Sequence, residues 1–329
     1  MVDMRTSLPA IPSGSARTRA VREALFVTLL WSSSYVLVTV GLEDIPALTF
    51  AGLRYGLASL VLLPFFVGDG HHRRVRRAGP AAWARLLALG VVLYAVTQGA
   101  QFVALGHLRA ATVSLVLTFT PVAVALFGAA RFAPRARREP REGERGERQP
   151  RRVAEQPTAR QWVGLVALVG GALAYFRPWA GPLGSAFGLG VMAVGLLGNA
   201  GGSVLGRRVN RDSDLGPLAV TTVSMGVGAA VLLAAGVASQ GFPTLSLENW
   251  AVVAWLAVVN TAGAFTLWNR TLETLTAVES SVVNNTMLVQ VAALGWLFLG
   301  EAIRPHELLG VLAVGGGGVL LVQLGRAKR

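Results

Sequence analysis

Apolar stretches about as long as a bilayer is thick follow one another along almost the whole chain. They lie at residues 24–42, 47–67, 82–104, 108–130 and 161–177, then at 184–206, 216–238, 249–269, 276–299 and 306–323. A helix needs roughly 20 apolar residues to cross a hydrocarbon core about 30 Å thick, so each stretch has the length of one span. A lone strand would leave its backbone unpaired in lipid. A barrel would show segments of about ten residues alternating apolar and polar, and the chain has none. The sequence therefore predicts an all-α integral membrane protein of ten transmembrane helices. Of 329 residues 53% are hydrophobic and 14% charged, more apolar surface than a soluble chain of this size would carry. The 39 glycines suit helices that approach one another closely in a bilayer.

Loop charge gives the chain a direction. Arg5, Arg17, Arg19 and Arg22 precede the first stretch, and Arg73, Arg74, Arg76 and Arg77 follow the second. Ten arginines against five glutamates lie from Arg131 to Arg160. Arg207, Arg208 and Arg211 follow the sixth stretch, Arg270 the eighth, and Arg326, Lys328 and Arg329 the tenth. The alternate connections hold only Arg109, Arg177 and Arg304, and the first of them carries Glu43 and Asp44. Basic connections face the cytoplasm. Ten spans across the cell membrane with N- and C-termini both cytoplasmic satisfy this bias at every connection, whereas an odd count would misplace one terminal cluster. The first apolar run is long enough to span and no clear cleavage signal follows it, so a retained first helix is expected rather than a signal peptide.

The same placement disposes of other readings of the formal net charge of +13. In a soluble chain it would suggest nucleic acid. Here 25 of the 30 Lys and Arg residues sit in the tails and basic connections, without interleaved aromatics. Membrane lipid heads are their natural contacts, and no nucleic acid is expected. With no cysteine, there is no disulfide, thiol nucleophile or iron–sulfur ligand. His71, His72, His107 and His306 lie in or beside short loops, without a ligand set at metal spacing. No phosphate or dinucleotide motif and no nucleophile with a base and orienting group is present. The sequence thus predicts no enzyme, no metal and no cofactor.

An internal repeat divides the chain. ATVSLVLTFTPVAVALFG, ending at Gly128, aligns without gaps on VESSVVNNTMLVQVAALG, ending at Gly295. After each, RQWVGLVALVGGALAYF and RPHELLGVLAVGGGGVLLV share a polar start, a glycine at Gly164 or Gly310 and a glycine-rich apolar run. Two repeats of five helices must enter the bilayer in opposite senses. The expected organisation is a tail over 1–22, a first five-helix repeat over 23–178, a second over 184–323 and a tail over 324–329. Within the first repeat, residues 132–159 are rich in Arg, Glu, Gly and Pro, too poor in apolar surface to fold alone, and read as a flexible linker.

These features, in this order, resemble the EamA-type transporters of the drug/metabolite transporter superfamily. The resemblance covers residues 22–325. WSSSYVLVTVGL is similar to the family's opening helix, ALTFAGLRYGLASLVLLP to its arginine-bearing second helix, and ALGHLRAATVSLVLTFTPVAVALFG, with Pro121, to its fourth. VVNNTMLVQVAALGWLFLGEAIRPHELLGVLAVGGGGVLL resembles its ninth and tenth helices, including the pair Gly300–Glu301. The chain departs from the pattern at Ala129, which follows Gly128 where a glutamate is common, and at Leu288, which stands opposite Pro121. The resemblance implies a DMT/EamA-like fold and a secondary transporter that exports or exchanges small organic solutes such as amino acids or drugs, coupled to a proton or counter-solute. A monomer, or a monomer within a homodimer, is expected. A passive facilitator or channel and a non-transporting scaffold or sensor are the rival readings.

Polar groups at bilayer depth are costly unless paired or facing a watery cavity, which makes them the site candidates. Asn284, Asn285 and Gln290 lie on the ninth stretch, Asn199 on the sixth and Asn260 on the eighth. Each either lines a cavity or ties helices together. Ser34 falls near mid-membrane, and Arg54 lies about a third of the way into the second stretch, placed to attract an anionic group, pair across the bundle or snorkel outward. Gln98 and Gln101 share one face of the third. Trp31, Tyr35 and Trp268 offer flat surfaces to a solute or to neighbouring helices. Glu279 is either a proton-coupling carboxylate or an interfacial one satisfied by Arg270 or water. Glu301 is expected to cap a loop.

Overall fold

The computed structural model describes residues 14–131, 159–177, 185–212, 215–272, 274–275 and 277–323. The predicted linker up to residue 158 and both outer tails therefore lie outside the described residues, apart from the inner end of the first tail. In chain order the helices are α1 (Gly14–Gly41), α2 (Ala47–Gly68), α3 (His71–Arg76), α4 (Pro80–Leu89), α5 (Thr97–Leu105), α6 (Ala110–Leu117) and α7 (Thr120–Arg131). They continue with α8 (Ala159–Phe176), α9 (Ala186–Asp212), α10 (Pro217–Gln240), α11 (Leu247–Ala257), α12 (Ala264–Leu272), α13 (Ala277–Leu299) and α14 (Pro305–Gln323). No strand occurs among the described residues. Among the described residues six helices have the length and apolar composition to cross a membrane: Ala16–Gly41, Ala47–Gly68, Pro80–Leu105, Ala186–Asn210, Pro217–Gln240 and Leu247–Trp268.

Two of these six contain a wider turn. A π-helical segment, Gly90–Val96, joins α4 to α5, and another, Val258–Gly263, joins α11 to α12. Such a turn carries one extra residue and disturbs the regular i→i−4 ladder. At each segment a threonine, the residue after the first and one within the second, bonds a carbonyl five residues back: Thr97 Oγ1 donates to Val92 O and Thr261 Oγ1 to Leu256 O, both at 2.8 Å.

The fourth apolar stretch, read from sequence as one helix over 108–130, is instead broken at Thr118–Phe119 between α6 and α7. Proline at 121 has no N–H to give the carbonyl of Leu117, four residues back. The hydroxyl of Thr120 donates to that carbonyl at 2.6 Å, and Thr118 Oγ1 donates to Leu115 O at the same distance. The basic connection after α2, expected as a loop, coils into α3, burying Val75 and leaving Arg73, Arg74 and Arg76 exposed.

Packing follows a pattern of partners. α2 lies against α10, α8 against α14, and α1 against both α13 and the α11–α12 helix; α9 lies against α5 and α7. Closest approach is set by absent side chains. A Cβ on Gly171 would stand 2.9 Å from Gly310 O, and one on Gly310 would stand 2.6 Å from Gly171 O, so α8 and α14 meet backbone to backbone. The main core joins α1, α2, α5, α6, α10 and α11 through residues such as Val38, Phe50, Phe102, Val113, Met225 and Leu256. Large apolar side chains face outward in number, Phe65, Trp296 and Phe298 among them. In water such patches would drive association; in lipid they are the solvated face.

Candidate functional site

The candidate site is built where α1, α2 and the π-helical segment Val258–Gly263 converge. Arg54, about two turns along α2, is 6% exposed. Its Nε donates to Thr261 Oγ1 at 3.0 Å and its Nη2 to Ser34 Oγ at 3.3 Å. The guanidinium carbon lies 5.3 Å from the centroid of the neighbouring Tyr55 ring. Among the described residues no carboxylate bonds it.

Asn260, one residue before Thr261, is fully buried. Its Nδ2 donates toward three acceptors on α1: Leu30 O at 2.5 Å, and Ser33 Oγ and Ser34 Oγ at 3.0 Å each. Its Oδ1 is buried without a hydrogen-bond partner. The Ser34 hydroxyl accepts from both Arg54 and Asn260, and it donates to Leu30 O at 3.3 Å. The wider turn explains why these side chains meet. Thr261 Oγ1 gives its hydrogen to Leu256 O, leaving its lone pairs for Arg54 Nε.

Two further polar sets flank this centre. Tyr55 donates to Gln98 Oε1 at 2.7 Å, and Gln101 is half-buried on the same helix. Gln290 on α13 bonds both α1 and its own helix: Ser32 Oγ donates to its Oε1 at 3.0 Å, and its Nε2 donates to Thr28 Oγ1 on α1 at 3.2 Å and to Thr286 Oγ1 on α13 at 3.1 Å. Trp31 stacks obliquely on Trp268 and Phe265, with centroids 5.2 and 5.4 Å away. Tyr35 is half-buried beside the core.

The remaining candidates are not brought to this centre. Asn199 Nδ2 donates to Thr120 Oγ1 at 3.0 Å, which ties α9 to the break between α6 and α7. Asn285 is half-buried on α13 and Asn284 is exposed. The side chain of Glu279 lies outside the described residues.

A second polar group sits at the end of the bundle that carries the connections after α5 and α13. Arg109 donates to both carboxylate oxygens of Glu307, at 2.5 and 3.2 Å, to Ala302 O at 3.0 Å and to the Tyr175 hydroxyl at 3.4 Å. Glu301 Oε1 accepts the backbone N–H of Ala110 at 2.8 Å, capping the first turn of α6. Glu307 Oε2 also accepts the N–H of Arg304 at 2.9 Å, closing the first turn of α14.

Reading the sequence did not single out Thr261, Ser33, Tyr55 or Thr28 for the centre, nor Arg109, Tyr175 and Glu307 for the end. A hydroxyl in an apolar helix ordinarily bonds its own backbone, so it carries no signal until a partner is known. The run Ser32–Ser33–Ser34, at about the depth of Asn260, was the available clue.

Comparison with known proteins places these features. The profile of the EamA-like transporter family matches residues 21–136 and 186–323. The chain is 26% identical over 315 residues to a protein of Escherichia coli K12 described as the uncharacterized inner membrane transporter YedA, covering 92% of this chain and 90% of that one. The proteins of the same description from Escherichia coli O6:H1 and O157:H7 match equally. A crystal structure superposes with a TM-score of 0.62 at 19% identity, over 95% of this chain and the whole of the other, a likeness of fold.

Proposed function

We propose that this chain, which belongs to the EamA-like transporter family, carries a small organic solute across the cell membrane by alternating access between two inverted halves. It is a multi-pass membrane protein and a transporter. The finer reading takes the ten apolar stretches as ten spans, in five-helix repeats over 23–178 and 184–323, with both termini cytoplasmic. The pairing of helices supports it. In a two-fold arrangement, second pairs with seventh and fifth with tenth across the axis, as α2 does with α10 and α8 with α14. The first span then meets the eighth and ninth as the sixth meets the third and fourth, which matches the partners of α1 and α9. The two π-helical segments occupy the third and eighth spans, equivalent positions in the repeats.

The observation that carries the proposal is the buried polar centre assembled from both halves. Ser34 and Arg54 come from the first, Asn260 and Thr261 from the second. A solute that exchanges places with these cross-half hydrogen bonds gives the halves a reason to separate and re-form, which is the differential contact that a two-state transition requires. Gln98, Tyr35, Trp31 and Trp268 flank the path. Glu279 is retained as a candidate for proton coupling.

The test is counterflow. Purified protein in liposomes preloaded with unlabelled candidates (amino acids, nucleosides, organic acids and lipophilic cations) is given labelled solute outside. Transient, saturable accumulation of at least one is expected. A linear, non-saturating flux would indicate a facilitator, and no protein-dependent flux across the panel would refute the carrier reading.

A further inference from the structure

We infer that Arg54 and Asn260 form a subsite for a carboxylate, and that the transported solute is an organic anion with a hydrogen-bond donor beside its carboxylate. The inference deepens the proposed function and rests on it. Arg54 is buried and always charged. Of its five N–H donors, the structure engages one on Nε and one on Nη2, both with neutral hydroxyls. A buried charge is expected to be paired. Here no described carboxylate pairs it, although Arg109, in the same bundle, has Glu307. The remaining guanidinium N–H groups form the planar fork that matches two carboxylate oxygens.

Asn260 supplies the second half. Its Nδ2 is held by Leu30, Ser33 and Ser34, and its Oδ1, buried with no partner, is an acceptor awaiting a donor. Leaving a buried acceptor unsatisfied is costly, and the two groups share the Ser34 hydroxyl, at 3.3 Å from Arg54 Nη2 and 3.0 Å from Asn260 Nδ2. A carboxylate on Arg54 with an adjacent ammonium, amide N–H or hydroxyl at Asn260 Oδ1 answers both deficits at once. A cation answers at most the amide's deficit and leaves Arg54 unpaired, and a purely apolar solute answers neither.

The test is thermal unfolding of the purified protein in nanodiscs, followed by tryptophan fluorescence. The ligands are amino acids, hydroxy acids and simple mono- and dicarboxylic acids, each beside its primary amide. At least one acid should raise the midpoint of the wild type while its amide does not. Arg54→Gln should weaken binding of that acid by about ten- to a hundredfold, the loss expected for a charged hydrogen-bonded contact, and Arg54→Lys by less. Thr261→Asp places a built-in carboxylate at the atom that already meets Arg54 Nε; it should be more stable than Thr261→Asn and should no longer respond to the acid. The inference is overturned if no acid stabilises the wild type, if acids and amides act alike, if Arg54→Gln binds unchanged, or if Thr261→Asp is no more stable than Thr261→Asn. Its fate separates from that of the carrier. Acid binding without counterflow would leave the subsite standing and remove the carrier; counterflow of neutral solutes unchanged in Arg54→Gln would do the reverse.

Discussion

Asn260 shows what one amide does in a bilayer interior. Its nitrogen binds the α1 backbone at Leu30 and two consecutive serines, so a single side chain fastens the π-helical segment Val258–Gly263 to α1. Interhelical hydrogen bonds in membranes contribute about 0.6 kcal/mol each and up to about 1.7. Replacing Asn260 by Leu should therefore lower stability by roughly 1–3 kcal/mol, since Ser33 and Ser34 also lose a donor; reversible unfolding in mixed micelles measures it. Tyr55→Phe, which removes one bond to Gln98, should cost only about 0.5–1.5 kcal/mol. A larger loss would mean that the hydroxyl holds more than Gln98. Arg54, Ser34 and Asn260 were legible in the sequence because polar atoms stand out against an apolar run. Asn284 stood out equally, yet it is exposed, because polarity does not say which face of a helix is turned inward. Thr261 was illegible for the opposite reason: threonine is commonplace in such helices, and its service to Arg54 depends on an extra residue in a turn.

At the level of helices, glycine decides how closely axes approach. Because Gly171 and Gly310 put backbone against backbone, Gly310→Val should part α8 from α14 and lower the unfolding midpoint. Gly316→Ala, on the same helix with nothing within 4 Å of the added Cβ, should leave it unchanged. Equal behaviour of the two variants would contradict the close contact. The break between α6 and α7 makes a second prediction. Thr120 both accepts from Asn199 and donates to the Leu117 carbonyl that proline leaves free. Thr120→Val should thus cost more than Thr118→Val, by about 1 kcal/mol, because two groups rather than one lose a partner. The helices were legible as apolar lengths, and the ends of most fall near those read from sequence. The π-helical segments were not, since an inserted residue changes the hydrogen-bond register without changing composition.

For the whole molecule, the connections after α5 and α13 meet through charge. Arg109 is 40% exposed on its side chain and Glu307 9%, between the exposed regime, where a pair contributes up to about 1 kcal/mol, and the buried one, where breaking it costs about 3–5. A double-mutant cycle with Arg109→Gln and Glu307→Gln should therefore give a coupling of about 1–2 kcal/mol. In liposomes, either variant should shift the balance of accessibility toward this end, read by thiol labelling of a cysteine placed in a chain that has none of its own. Unchanged labelling would show that the pair does not close it. The repeated segments and the alternation of loop charge were legible in the sequence. This junction was not, because Arg109 and Glu307 lie nearly two hundred residues apart, one looking like an ordinary loop charge and the other like the polar start of an apolar stretch.

Arg109 alone serves four acceptor atoms, on the connection at Ala302, on α14 and on the end of α8. These elements cannot be released one at a time without stranding part of the same cation. Any opening at this end therefore involves all three elements together, because each shares its polar partner with the others.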